Sequence, residues 1–358
     1  MLLSIETSCD ETSVAIFNLR NLGEKVIDGS DILSEKIYSQ ILSHQPYGGV
    51  VPEISAREHI KTIPLLIQNV FEEIEIQSND ISHVSVTSGP GLKGSLLTGY
   101  LFAKSFAYAK NIPLIPVNHL EGHLLSTELL EIDQRPKYPA LALLVSGGHT
   151  QLYLIKKIGD YELLAQTRDD AAGEAFDKCA TMLSLPYPGG PYLSKIAKDG
   201  DALRYAFSKG LPTDYTSFSF SGLKTAFSKL SQKELALATK QDHDQCKSDL
   251  AACLEKTIVD DLTSKLSFYI KKLNPSSLIL TGGVAANLPL RNKIRELGDS
   301  NSIFVSIPPL KWCTDNAAMI GVAAIRKLEL TDLGEKIDFD MNLLERTVNP
   351  ERIVESWH

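Results

Sequence analysis

Residues 140–155 read ALALLVSGGHTQLYLI, and this stretch decides the fold. It is an apolar run, a turn of small and hydroxyl-bearing residues, and a second apolar run, which is typical of two strands joined by a turn. Residues 1–17, MLLSIETSCDETSVAIF, repeat the pattern at the N-terminus. Two halves that each open on such a hairpin predict a duplicated α/β domain. The polar, proline-bearing segment 133–137 is the natural boundary between them.

Length and composition agree with a globular protein of two domains. The chain has 358 residues, more than one small core accommodates. Apolar residues make up 43% and charged residues 22%, which argues against a disordered, collagen-like or membrane-embedded chain. The formal net charge is −8, whereas nucleic-acid-binding proteins usually carry an excess of basic residues. The charge therefore gives no sign of a nucleic-acid partner.

The cysteines and the N-terminus favour a cytoplasmic protein. Five cysteines without a C-x-x-C pair predict reduced thiols rather than disulfides or a cysteine zinc site. The first residues include no basic segment, and Glu6 interrupts their apolar run, so we expect no signal peptide. No apolar run approaches the ~20 residues that span a bilayer.

Apolar spacing predicts the remaining elements. Between Ile54 and Ile76 the apolar side chains recur mostly at intervals of three and four, which predicts a helix with Pro64 in or near an early turn, or at a kink. Other apolar runs predict strands at 84–87, 114–117 and 278–281, and helices ending near 109, over 119–131 and over 250–270.

Three predicted strands end in glycine-bearing turns, at Ser88–Gly94, Ser146–Gly148 and Thr281–Gly283. Glycine lets backbone N–H groups approach a ligand closely, and a helix start behind such a turn favours an anion. None is a Walker A loop or a G-x-G-x-x-G motif, and each alone is more often a plain turn. Because ligands of open α/β sheets bind at the carboxyl ends of strands, the three together favour a nucleotide cleft between the halves.

Four carboxylates lie within residues 169–178. A solvated helix start explains them, because acidic side chains suit the positive end of the helix dipole. Alternatively, one of them faces ribose hydroxyls or a cation. Spacing alone leaves both readings open and favours the helix start. The rigid segment Tyr187–Pro191 that follows reads by itself as a structural loop.

His119 and His123 are four residues apart, which on a helix places both imidazoles on one face, within reach of one metal ion. The sequence between them is not that of a zinc protease, because Glu121 stands at the wrong position for H-E-x-x-H. A third ligand has to come from elsewhere. Asp315 is available, but its position just before an apolar helix by itself favours a helix N-cap over a ligand.

Ten motifs follow one another in the order of a known family. They are ETSCDET (6–12), YGGVVPE (47–53), GPGL (89–92), HLEGH (119–123), LVSGGHT (144–150), DAAGEAFDK (170–178), YPGGP (187–191), FSFSGLK (218–224), GGVAAN (282–287) and CTDN (313–316). By these motifs the sequence resembles the bacterial TsaD (Gcp/YgjD) family of tRNA N6-adenosine threonylcarbamoyltransferases, from residue 1 to about 327.

The resemblance implies an α/β, actin-like ATPase (ASKHA) fold of two duplicated lobes around a central cleft. With the boundary above, we expect an N-terminal lobe over 1–132, onto which 312–330 packs back, and a C-terminal lobe over 139–311. The tail 331–358 has no assigned role. The implied reaction is transfer of the threonylcarbamoyl group from threonylcarbamoyl-AMP to N6 of the adenosine 3′ of the anticodon, in tRNAs reading ANN codons.

The resemblance also assigns site residues. It implies one divalent metal ion per subunit, Fe²⁺ or Zn²⁺, on His119, His123 and Asp315, which overrides the N-cap reading of Asp315. We further hypothesise that Asp10 or Glu11, on the first hairpin turn, assists proton removal from the adenosine amine. The implied adenylate-binding residues are Leu144, Val145, Ser146, Gly147, Gly148, Asp177, Gly190 and Asn287.

The implied partners are tRNA, a TsaB-like paralogue in a heterodimer, a TsaE-like ATPase, and a TsaC-like enzyme that supplies the adenylate. The helix over 54–76 is the expected dimer face. Given the net charge of −8, the isolated chain should bind tRNA weakly and with a strong salt dependence. Three rival readings are a sugar or acetate kinase of the same superfold, a non-catalytic nucleotide switch, and a metallopeptidase.

Overall fold

The computed structural model of the protein describes residues 1–20, 22, 28–330 and 348–357. These residues form two compact units. Unit 1 comprises the described residues of Met1–Arg135, Ile158–Asp160 and Pro308–His358, and unit 2 comprises Pro136–Lys157 and Tyr161–Ile307. Of the tail expected over 331–358, residues 331–347 and 358 lie outside the described residues.

The described residues form eleven strands and ten α-helices. The strands are β1 (Leu2–Glu6), β2 (Glu11–Phe17), β3 (Ile32–Ser39), β4 (His83–Gly89), β5 (Leu114–Asn118), β6 (Ala140–Val145), β7 (Thr150–Lys157), β8 (Asp160–Thr167), β9 (Ser217–Phe218), β10 (Ser277–Thr281) and β11 (Phe304–Ser306). The helices are α1 (Ile41–His44), α2 (Pro52–Glu73), α3 (Lys93–Lys110), α4 (His119–Leu125), α5 (Ala172–Met182), α6 (Gly189–Ala197), α7 (Ser221–Leu237), α8 (His243–Leu273), α9 (Leu288–Asn301) and α10 (Ala317–Leu330).

Unit 1 is a five-stranded sheet in the order β3-β2-β1-β4-β5. Strand β1 is antiparallel to β2 and parallel to β4. Successive side chains of a strand point to opposite faces, so Leu2 joins the core beside α10, and Leu3 joins the core beside α2 and α3. Helices on both faces explain why all five residues of β1 are buried, polar Ser4 and Glu6 included.

Unit 2 repeats this arrangement in a six-stranded sheet of the order β11-β10-β6-β7-β8-β9. Its first strand, β6, is antiparallel to β7 and parallel to β10, as β1 is to β2 and β4. All six residues of β6 are buried, which is why this run is apolar throughout. The predicted α/β fold of two duplicated halves is therefore confirmed.

One helix prediction is wrong in detail. The helix predicted over 119–131 ends at Leu125 as α4 and continues as a 3₁₀ turn over Ser126–Leu129. The Ser126 hydroxyl donates a hydrogen bond to the carbonyl of His123 at 2.7 Å, and such a bond competes with helix continuation. Pro64 lies inside α2 and not in an early turn, which leaves the kink as the remaining alternative of that prediction. In the described part of the chain, no helix combines the length and the hydropathy that crossing a membrane requires.

Candidate active site

Helix α4 carries the two histidines on one face. It begins where β5 ends, because the side-chain oxygen of Asn118 accepts hydrogen bonds from the backbone N–H groups of Leu120 at 2.9 Å and Glu121 at 3.3 Å. His119 and His123 stand one turn apart, and their ring centroids are 4.7 Å apart. Both side chains are buried, so the spacing seen in the sequence does produce a paired site.

Asp315 completes the cluster from the segment just before α10. Its Oδ1 lies 3.5 Å from Nε2 of His119 and 3.1 Å from Nε2 of His123. One ligand atom from each of the three residues lies within 4.8 Å of the others. The N-cap of α10 is the next residue, since Asn316 Oδ1 accepts from the Met319 N–H at 2.8 Å. The N-cap reading of Asp315 is therefore wrong.

A buried carboxylate, Glu6, stands behind His119. His119 Nδ1 lies 3.3 Å from Glu6 Oε2 and 3.1 Å from the Ser8 hydroxyl, which leaves Nε2 facing Asp315. Glu6 also accepts hydrogen bonds from the Ser8 N–H and the Thr87 hydroxyl. Metal-binding histidines usually have such a partner on their second nitrogen. Burial opposes a charge on His119, but Asp315 and Glu6 outweigh it and raise the pKa of His119 to about 9.

Asp10 lies on the turn between β1 and β2, as expected, whereas Glu11 is the first residue of β2. The Ser39 hydroxyl donates to Glu11 Oε1 at 3.3 Å. Burial raises the pKa of Glu11 well above its ordinary value, and the neighbouring charges of Asp10 and Asp315 add to the effect. Glu11 is thus a carboxyl group close enough to Asp315 to feel its charge.

His59 on α2 holds this turn in place, which the sequence did not reveal. Its Nε2 lies 2.9 Å from the Cys9 carbonyl oxygen and its Nδ1 lies 2.8 Å from the Thr12 hydroxyl. Nε2 therefore donates to the carbonyl while Nδ1 accepts from Thr12, as in neutral imidazole. Burial lowers the pKa of His59, which favours that neutral form. The Ser55 hydroxyl also donates to the Cys9 carbonyl.

In unit 2, the turn after β6 has open space beside it. The Ser146 N–H donates to the His149 carbonyl at 2.8 Å, and the His149 N–H donates to the Ser146 hydroxyl at 3.1 Å. Gly147 and Gly148 are exposed, and a Cβ added at either glycine would meet nothing within 4 Å. Leu144 and Val145 are fully buried, so only their backbone groups are candidates for ligand contact.

Helix α6 brings other predicted adenylate residues together. The Gly190 N–H donates to Asp177 Oδ1 at 3.0 Å. One turn further along α6, the Ser194 hydroxyl lies 3.0 Å from Asn287 Nδ2. Asn287 also donates to Glu255 Oε1 at 2.6 Å, while its own oxygen accepts from the N–H of Leu290 and caps α9. Glu255 was missed in the sequence, where it is one acidic residue among many on a long helix.

The first two carboxylates of the 169–178 segment hold α7. Asp169 accepts hydrogen bonds from the Phe220 N–H at 2.8 Å and the Ser221 hydroxyl at 2.7 Å. Asp170 forms an ion pair with Lys224 on the same helix. Asp169 thus binds the start of α7, and not the start of α5, the helix that follows it in the sequence.

Comparison with known proteins identifies the family. The family model described as "TsaD: tRNA N6-adenosine threonylcarbamoyltransferase" matches residues 31–322. The chain belongs to the TsaD family. A relative from Dichelobacter nodosus, named tRNA N6-adenosine threonylcarbamoyltransferase, is 43% identical over 92% of this chain and 91% of its own length. A relative of the same name from Polynucleobacter necessarius is 46% identical over 92% of each chain. The family inferred from the motifs is confirmed, and the activity for which it is named is that of a transferase.

Solved structures agree on the fold alone. Component A of (R)-2-hydroxyglutaryl-CoA dehydratase from Acidaminococcus fermentans aligns with a TM-score of 0.50 at 13% identity, over 91% of this TsaD-family chain and 98% of that chain. Full-length HypF in its phosphate- and nucleotide-bound form aligns with a TM-score of 0.57 at 12% identity, over 92% of this chain and 47% of HypF. The predicted actin-like ATPase fold is confirmed.

Proposed function

We propose that this protein transfers the threonylcarbamoyl group from threonylcarbamoyl-AMP to N6 of the adenosine 3′ of the anticodon, in tRNAs that read ANN codons. The observation that carries the proposal is the convergence of His119, His123 and Asp315. It occurs in a chain whose relatives, at 43% and 46% identity, are named tRNA N6-adenosine threonylcarbamoyltransferase.

The three residues fit a divalent metal ion. Two imidazole nitrogens and one carboxylate oxygen suit Zn²⁺ or Fe²⁺, and the Glu6 carboxylate behind His119 is the supporting contact that such a ligand requires. His119, His123 and Asp315 would hold the ion. When bound, it would act as a Lewis acid that polarises the carbonyl group of the acyl donor.

The substrates require an activated donor. The exocyclic amine of adenine is a poor nucleophile because its lone pair is delocalised into the ring. In the transfer, a bond forms between N6 and the carbamoyl carbon, and the bond from that carbon to the phosphate oxygen breaks. AMP leaves, and N6 loses one proton. The mixed anhydride of threonylcarbamoyl-AMP supplies the good leaving group that this reaction needs.

The chain's own groups would bind the adenylate and accept the proton. On the turn at Ser146–Gly148, the exposed Gly147 and Gly148 offer backbone N–H groups for the phosphate. Asp177 with Gly190, and Asn287 beyond them, would bind the nucleoside part. Asp10, on the turn that His59 holds, or Glu11, at the start of β2, would accept the proton from N6.

A reconstituted transfer assay tests this function. Purified threonylcarbamoyl-AMP, tRNA and the protein, with and without partner proteins, should yield tRNA whose nucleosides contain threonylcarbamoyladenosine by mass spectrometry. Variants Asp10→Ala and Glu11→Ala should slow transfer, and full rates in both would remove their role as base. Phosphorylation of a small sugar or of acetate with ATP, without tRNA modification, would favour the kinase alternative instead.

The proposed partners include a TsaB-like paralogue bound at the outer face of α2 and α3. Ile60 and Leu65 on α2 are 62% and 58% exposed, and the nearby groove is lined by Pro64, Phe71 and Phe102 among others. A large exposed apolar patch is typical of a protein interface. A TsaE-like ATPase and a TsaC-like source of the adenylate would act with this pair, in the cytoplasm where tRNA is modified.

A further inference from the structure

Within unit 1, residues 348–357 of the C-terminal segment pack at the ends of β4 and β5. Val348 is 4% exposed and belongs to the core cluster on the α2 and α3 face of the sheet. The Asn349 N–H donates to the Ser88 carbonyl at 2.9 Å, and the Gly91 N–H donates to the Pro350 carbonyl at 3.2 Å. The segment is therefore anchored at the end of β4.

Close approach makes this anchoring specific. A Cβ added at Gly89 would lie 1.9 Å from the Asn349 carbonyl oxygen, so only glycine leaves room for the segment there. Arg352 Nη1 donates to the Ser88 hydroxyl at 3.1 Å, and that hydroxyl donates to the Val117 carbonyl at 3.1 Å. Through Ser88 the segment thus reaches β5, the strand that leads directly into α4.

The same segment contacts Asn118, the residue that caps α4. Asn118 Nδ2 donates to the Ile353 carbonyl at 2.8 Å. The amide oxygen of Asn118 accepts from the Leu120 N–H at 2.9 Å. The two ends of one amide group are therefore used at once, and the Ile353 carbonyl fixes which end faces the helix. His119, the first residue of α4, follows directly.

We propose that residues 348–357 are a positioning element for the metal-binding helix, acting through Asn118. With the amide held by Ile353, α4 begins at a defined place, and His119 and His123 meet Asp315. The proposal rests on the proposed metal site and extends it, because it assigns a role to a part of the tail that the sequence left without one. Asn118 is a positioning residue and not a ligand.

The test measures binding of Co²⁺ to the full chain and to variants, by titration and by the visible absorption bands of the bound ion. The first variant is a chain that ends at residue 347. The second is Asn118→Asp, which keeps an oxygen for the Leu120 N–H but loses the donor to the Ile353 carbonyl. Glu351→Ala is the matched control, because Glu351 is an exposed side chain within the same segment.

We expect both the shortened chain and Asn118→Asp to bind Co²⁺ about ten-fold more weakly or worse, with altered bands, since loss of supporting contacts typically costs a metal site that much. Glu351→Ala should bind as the full chain does. Equal affinity and equal bands in Asn118→Asp would overturn the proposal, whether or not the shortened chain folds. Binding of Co²⁺ by the full chain should also depend on His119. If it does not, the proposed metal site itself is wrong, and that result is distinct from a failure of the positioning role.

Discussion

Nδ1 of His119 lies 3.3 Å from Oε2 of Glu6, on the opposite side of the imidazole from Nε2, the nitrogen that meets Asp315. The glutamate is completely buried at the end of β1. A position so buried in a strand is ordinarily occupied by an apolar residue. Glu6 shares Nδ1 of His119 with the Ser8 hydroxyl at 3.1 Å, and a metal-affinity experiment can measure how much the carboxylate contributes to orienting the ring.

Glu6→Gln should weaken metal binding by about ten- to a hundred-fold, because the neutral amide no longer orients and polarises His119. The side chain keeps nearly the same shape, so the fold should persist. Titration with Zn²⁺ or Co²⁺ would give the affinity, and elemental analysis of His119→Ala should show the metal lost. Wild-type affinity in Glu6→Gln would contradict the supporting role.

His59→Ala should lower the transfer rate and leave metal content unchanged. The substitution removes the donor to the Cys9 carbonyl and the acceptor for the Thr12 hydroxyl. The Ser55 hydroxyl still donates to that carbonyl, so the Thr12 hydroxyl is the group that loses its partner. An unpaired buried polar group costs about 1–3 kcal/mol, so denaturant unfolding should show a loss of stability of that size. Lys61→Ala, two positions along on the exposed side of α2, is the control and should change neither the transfer rate nor the stability.

Asp261→Asn should make stability less dependent on pH. Burial raises the pKa of Asp261 to about 6, with Lys265 and Lys209 opposing the rise only in part. Among the described residues, neither carboxylate oxygen has a hydrogen-bond partner. The folded protein therefore holds a proton that the unfolded chain releases near pH 4, and the stability that this proton contributes is lost as pH rises through about 6.

In the wild type, the free energy of unfolding should fall by at most about 3 kcal/mol between pH 4 and pH 7, a limit set by the size of the pKa shift of Asp261. Urea unfolding of both proteins across this range checks the prediction. The difference between the two curves isolates Asp261 from other titrating groups. Parallel curves would mean that Asp261 ionises normally in the folded protein.

Glu255→Ala should raise the KM for the adenylate by about ten-fold with little change in kcat. The carboxylate accepts hydrogen bonds from Asn287 at 2.6 Å and from Ser194 at 2.6 Å, and loss of a bond to a charged group costs about 1.5–3 kcal/mol. Lys256→Ala, its half-exposed neighbour on α8, serves as the control. A fall in kcat alone would place Glu255 in a different role.

Ile60→Glu together with Leu65→Glu should abolish binding to the proposed partner, a TsaB-like paralogue. A charge on each exposed apolar position makes burial of the α2 face unfavourable. Size-exclusion chromatography with light scattering would detect the heterodimer. Leu237→Glu on α7, a leucine that is 71% exposed, is the control. An intact heterodimer in the double variant would refute the proposed interface.

Much of the site was predictable because its patterns are local. Two histidines four apart on a helix share a face wherever the helix lies, and the glycine turns follow directly from strand ends. The supporting groups were not predictable in the same way. Glu6 meets His119 across 113 positions and His59 meets Cys9 across 50, and neither spacing has a period that a sequence pattern could display.

Asp315 shows the division most clearly. By itself, the sequence determined the two hairpins, the duplicated α/β halves and the pairing of His119 with His123, because each depends on side-chain periodicity and turn residues within a few positions. Only the tertiary structure decided that Asn316 caps α10 and that Asp315 meets His123 across 192 positions. The physical reason is that both residues can cap a helix, and the choice depends on packing of α10 against α4, which local sequence does not encode.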